Sequence, residues 1–89
     1  MLFKVVERAR WDGNEWEQAF NLINDFRNEF NIPVKTIGSS VSGNTIYFSM
    51  SGFNIYFKEN NQGMWVTLEA DTNKSNFDEK YEFVFSRLS

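Results

Sequence analysis

The chain has 89 residues, with 42% hydrophobic and 18% aromatic residues and neither cysteine nor histidine. That is enough apolar mass for one core and too little chain for two. The missing residue types exclude disulfide frameworks, thiol nucleophiles, Cys/His metal sites and any triad built on an imidazole base, and a net charge of −3 argues against a general phosphate-backbone binder, which needs a basic footprint.

The chain reads as one α+β domain over residues 1–89. Charge is unevenly distributed along it: +2 over residues 1–10, −4 over 11–32, +2 with no acid over 33–58, and −3 over 59–89. No run approaches the roughly 18 apolar residues of a membrane span, and Lys4, Glu7, Arg8 and Arg10 interrupt any signal-peptide core. A cytoplasmic protein is expected.

Residues 2–9 are rich in β-branched and apolar side chains and predict a strand covered on both sides. Asp12 with Glu15 forms an acidic version of the capping box, whose oxygens satisfy the first free amides of a helix. The helix runs over 14–30. Its apolar stripe is Trp16, Ala19, Phe20, Ile23, Phe26 and Phe30, with Glu17, Asn21, Asn24, Asn28 and Glu29 opposite. Asn31 suits a left-handed cap, and Pro33 prevents continuation.

Beyond Pro33 the period changes to two. Residues 34–41 predict a strand followed by a turn at Ser42-Gly43-Asn44. Thr45–Met50 and Phe53–Lys58 both alternate, with only Ser51-Gly52 between them, so a tight hairpin sets Met50 against Phe53, Phe48 against Ile55 and Ile46 against Phe57. Asn60-Asn61-Gln62-Gly63 reads as a four-residue loop into Met64–Ala70. In that strand Val66 meets Phe57, Leu68 meets Ile55 and Ala70 meets Phe53. A slip by one residue would put Trp65 inside and Val66 and Leu68 in water, which singles out this register.

Residues 71–76 form a polar loop. After it, Phe77, Tyr81, Val84, Phe85 and Leu88 share one helical arc, capped by Ser75 with Asp78 and closed by Arg87 against the dipole. Phe83 falls outside the arc. A sixth strand through Tyr81, Phe83 and Phe85 is the alternative, but it leaves Phe77 and Leu88 without a place. The expected architecture is an N-terminal strand, one amphipathic helix on an antiparallel meander sheet of four to five strands, and a C-terminal helix. Over residues 2–70 this element order resembles the one-helix-on-a-curled-sheet arrangement of the cystatin and monellin class. The Gln-x-Val-x-Gly signature by which cystatins inhibit proteases is absent from Ser39-Ser40-Val41-Ser42-Gly43, so the resemblance implies fold and not inhibition.

Without His or Cys, chemistry would fall to carboxylates, Lys, Tyr or Ser. Asp12, Glu15 and Glu17, and likewise Asp78, Glu79 and Glu82, read as helix-end acids rather than a convergent catalytic pair, and the glycines are scattered turn residues rather than a phosphate loop. No enzyme activity, cofactor or metal is expected. The register instead brings Tyr47, Tyr56 and Trp65 together on the outward sheet face, with Thr45, Thr67 and Lys58 around them. Adjacent aromatics facing water mark contact sites. Glu15, Glu17, Asp25 and Glu29 on the solvent side of the first helix could meet a basic partner surface. The expected function is a small intracellular inhibitor or adaptor, of the kind phages and mobile elements encode, which occludes a protein partner. A weak single-stranded nucleic-acid module on the aromatic face is the alternative. A homodimer through the same face is compatible with either.

Overall fold

A computed structural model describes residues 2–88 except 12, 14 and 51. The elements are β1 (Leu2–Ala9), α1 (Glu15–Glu29), a 3-10 turn (Val34–Thr36), β2 (Gly38–Ser42), β3 (Thr45–Met50), β4 (Phe53–Asn60), β5 (Gly63–Asp71) and α2 (Lys74–Ser86). The strands form one antiparallel five-stranded sheet in the order β1-β5-β4-β3-β2. Both helices pack on the same side of it, so the sheet has one buried and one uncovered face. Among the described residues no helix is long and apolar enough to cross a membrane.

The β3–β4–β5 meander has the register that its alternation dictates. Met50 opposes Phe53, Phe48 opposes Ile55, Ile46 opposes Phe57, and Phe57 opposes Val66. All of these side chains are buried beneath the helices, and their burial stabilises this register against a one-residue slip. Gly52 sits at φ 76°, in the left-handed region that a tight hairpin requires; its neighbour Ser51 lies outside the described residues. The next connection is shorter than the expected four-residue loop. Asn60 already pairs with Gly63, leaving only Asn61 and Gln62 to turn the chain. Asn60 Oδ1 accepts a hydrogen bond from the Gln62 amide at 2.8 Å, and Gly63 takes φ 117°, so the strands can continue to the edge of the turn.

Several expectations need correction. β1 is not covered on both sides: it is an edge strand bonded only to β5, with Phe3 and Val5 turned toward the core and Lys4, Val6 and Arg8 turned outward. The strand expected over 34–41 is confined to Gly38–Ser42, because after Pro33 the chain first makes a 3-10 turn closed by Thr36 N–H donating to the Pro33 carbonyl. On α1 the buried residues are Ala19, Leu22, Ile23 and Phe26, so Leu22 replaces Phe20 in the core stripe. Phe20 is half exposed and rests edge-on against Phe48, with ring centroids 5.8 Å apart. Asn31 does adopt φ 54° at the helix end. The acidic cap at Asp12 lies outside the described residues.

α2 is a helix rather than a sixth strand. Its cap is Asn73, whose Oδ1 accepts from the Asn76 amide at 2.9 Å, not the expected Ser75 with Asp78. Phe83, the misfit on the helical wheel, is accounted for by α1. Its ring meets Phe26 and Phe30 edge-on at 5.9 and 5.7 Å, while the Arg87 guanidinium lies 4.6 Å above it. α2 therefore buries two sides, Phe77, Val84 and Phe85 toward the core and Phe83 toward α1. Beyond α2 the chain returns to the end of β1: the Leu88 carbonyl accepts from the Arg10 amide at 2.6 Å, and the Arg87 carbonyl accepts from the Trp11 indole N–H at 2.7 Å.

Candidate functional site

Strand pairing arranges the outward side chains in three rows across the sheet. The first runs Lys4, Glu69, Asn54, Ser49; the second Val6, Thr67, Tyr56, Tyr47, Ser40; the third Arg8, Trp65, Lys58, Thr45, Ser42. No described element of the chain covers these rows, because α2 lies beside α1 and not across them. The partial burial of Tyr47, Tyr56, Trp65 and Thr67 comes from their neighbours within the sheet.

The two tyrosines are fixed by a hydrogen-bond network. Their rings lie 4.7 Å apart at 39°. The Tyr47 hydroxyl donates to Asn54 Oδ1 at 3.0 Å, and the Asn54 amide donates to Glu69 Oε1 at 3.0 Å. The Tyr56 hydroxyl donates to the same carboxylate oxygen at 3.1 Å. Ordered rings lose less rotamer freedom when a partner covers them, which is how preorganisation raises affinity. Beside the rings, the small Ser40 and Ser42 side chains of β2 leave a shallow depression lined by Thr45, Tyr47 and Tyr56.

Partial burial, the hydrogen bond to Glu69 and the negative charge of that carboxylate hold the Tyr56 phenol above the ordinary tyrosine range. The folded state thus keeps this proton more tightly than the unfolded chain does. The stability that results is complete below pH of about 10, the unfolded value, and is lost as pH rises through the folded one. Phenolate absorbance should show Tyr56 ionising late. Tyr56→Phe should remove that late component and flatten the alkaline fall in thermal midpoint, and Glu69→Gln should bring it back toward the ordinary range.

The residues expected to act together divide between two sides of the molecule. Tyr47, Tyr56, Trp65, Lys58 and Thr67 share the uncovered sheet face. Glu17, Asp25 and Glu29 belong to α1, in the helix layer on the opposite side of the sheet. Asp25 is engaged within the fold: its carboxylate meets Arg87 at 2.7 Å and ties α1 to the end of α2. Glu29 borders an open acidic depression with Glu7, Glu79 and Glu82, over Phe30, Phe83 and Phe85. A single flat partner surface cannot touch both groups.

Lys4, Val6 and Arg8 join the outer face without a local signal in the sequence, because the pairing of β1 with β5 spans most of the chain. Their alternation with Phe3 and Val5 is the one clue, and Glu7 breaks it by standing opposite buried Val66. Arg8 and Lys58 flank Trp65 in its row, so the aromatic face is bordered by cations although the protein is acidic. Comparison with protein-family models, curated proteins and solved structures finds no match to the chain.

Proposed function

We propose that this protein is a binding module whose uncovered sheet face docks on a protein partner and occludes a surface that the partner needs. The observation that carries the reading is the Tyr47–Tyr56 pair, held by Asn54 and Glu69 beside Trp65, on a sheet face that neither helix covers. Tyr and Trp contribute most of the energy at protein interfaces when they sit centrally and are rigid. Arg8, Lys4 and Lys58 then form a charged rim, which suits a partner patch with an apolar centre and carboxylates around it. The acidic α1 residues face away from this contact, so the basic partner surface expected from them has no part in it.

Single-stranded nucleic acid is the second reading, favoured by one feature, the Arg8–Trp65–Lys58 row. Two observations weigh against it. Glu69 places a carboxylate beside the tyrosine rings, where its charge would repel a phosphate backbone, and the rings lean on each other rather than standing open for bases. Few cations also mean little counterion release.

Capture from the lysate of the native host tests the proposal. The tagged wild-type chain should retain one dominant protein, and retention should survive nuclease treatment and a Glu17→Lys, Glu29→Lys variant. Loss with that helix variant, or release by nuclease, would transfer the function to the helix layer or to nucleic acid.

A further inference from the structure

The two edges of the sheet differ in kind. β1 carries Lys4, Glu7 and Arg8, the sort of charges that keep an edge strand from pairing with another chain. β2, Gly38–Ser42, is the other edge: it is exposed along its whole length and has no charge and no proline, and residues 36–57 carry no charge at all. Ladder geometry identifies which backbone groups stand outward there. Ser42 faces Thr45 across a two-residue turn and is a hydrogen-bonded pair, so bonding alternates and Ser40 and Gly38 also bond toward β3. The N–H and C=O groups of Ser39 and Val41 therefore point away from the sheet.

The side chains at this edge are incomplete in a matching way. Val41 stands on the helix side of the sheet opposite buried Ile46, yet is 71% exposed. Ser39, on the same side, stands opposite Phe48, against which half-exposed Phe20 rests. An apolar side chain without cover thus lies next to a small one beside uncovered aromatic surface.

From this we infer that β2 pairs with β2 of a second copy of this chain, antiparallel about a two-fold axis at Ser40. In that register the outward groups of Val41 meet those of Ser39 in the second copy, and the reverse. Val41 of each copy enters the space beside Ser39, Phe48 and Phe20 of the other. The choice of a second copy follows from this self-complementarity and from charge: at net −3 two copies repel at their helix layers, whereas this edge is neutral. Opposed residues in a sheet point to the same face, so the two outer faces become one continuous surface. At a strand spacing of about 4.8 Å, the two Tyr47 positions lie about 14 Å apart across the axis. The proposed partner would then meet two aromatic sets side by side.

Sedimentation of the full chain over a concentration series, with amide hydrogen exchange at low and high concentration, tests the pairing. The expected result is a dimer in which the Ser39 and Val41 amides become protected as concentration rises. Val41→Lys should return a monomer with unchanged circular dichroism. Ser39→Pro should do the same by removing an outward N–H that β3 does not use. Trp65→Ala should leave the dimer intact, which separates this contact from the outer-face proposal. A monomer whose Ser39 and Val41 amides exchange freely at every concentration would overturn the inference and leave the edge to an extended segment of another protein. A dimer that persists in both edge variants would overturn it as well, by placing the contact elsewhere.

Discussion

Phe57→Ala is expected to lower the free energy of unfolding by about 3–5 kcal/mol, read from urea denaturation followed by tryptophan fluorescence. Phe57 is fully buried in a central strand, between Ile46 on β3 and Val66 on β5. Its ring stacks on Trp11, with centroids 6.4 Å apart, and receives Phe48 edge-on at 6.0 Å. Truncation removes the transfer energy of the ring and leaves a cavity that the neighbouring strands and Trp11 close only in part. Domains of this kind have roughly 5–15 kcal/mol of stability in all, so the variant should unfold at much lower urea and lie near the threshold for expression. Lys58→Ala, one residue along on the opposite face and exposed, should change stability by no more than about 0.5 kcal/mol. A larger cost at Lys58 than at Phe57 would mean that the strand is turned over, and the outer face with it.

Truncating Trp65 and Tyr56 together to Ala is expected to weaken partner binding by at least about 100-fold. Central interface aromatics cost about 2 kcal/mol or more each on truncation, and about 1.4 kcal/mol is a factor of ten. The two residues are diagonal neighbours on adjacent strands, so their losses will not simply add. Tyr56→Ala also withdraws the hydroxyl that bonds Glu69, leaving that carboxylate to Asn54 and water and relaxing Tyr47. Calorimetric titration with the captured partner supplies the Kd, and circular dichroism shows whether each variant is folded. An unchanged Kd in the folded double variant would rule out the outer face as the binding surface. Tyr56→Phe distinguishes the roles of ring and hydroxyl: if the ring supplies the contact, affinity should fall only modestly.

The contrast between these two predictions depends on side-chain alternation in β3, β4 and β5, which is legible in the amino-acid order alone. Each strand there is joined to the next by a short turn, so its neighbour in sequence is its neighbour in space. Pairing Phe48 with Ile55 and Phe57 with Val66 then needs no information beyond the chain itself. Tyr47, Tyr56 and Trp65 follow onto the other face by parity. The hydrogen bonds joining the tyrosines through Asn54 to Glu69 are not legible in this way, because side-chain rotamers on three strands determine them. The length of the connection at Asn61-Gln62 also escapes: a polar run does not say where strand pairing stops.

Local alternation and helical periodicity thus determined by themselves the first helix, the meander register and the separation of an aromatic outer face from a phenylalanine-rich inner one. Contacts between residues far apart in the chain decided the rest. β1 joined β5 and brought Lys4 and Arg8 to the aromatic face; α2 settled beside α1, where Phe26 and Phe30 receive Phe83. Asp25, still half exposed, is held by Arg87 from the end of α2. Such contacts depend on which apolar surfaces remain uncovered once the local elements have formed, and a one-dimensional pattern holds no record of that.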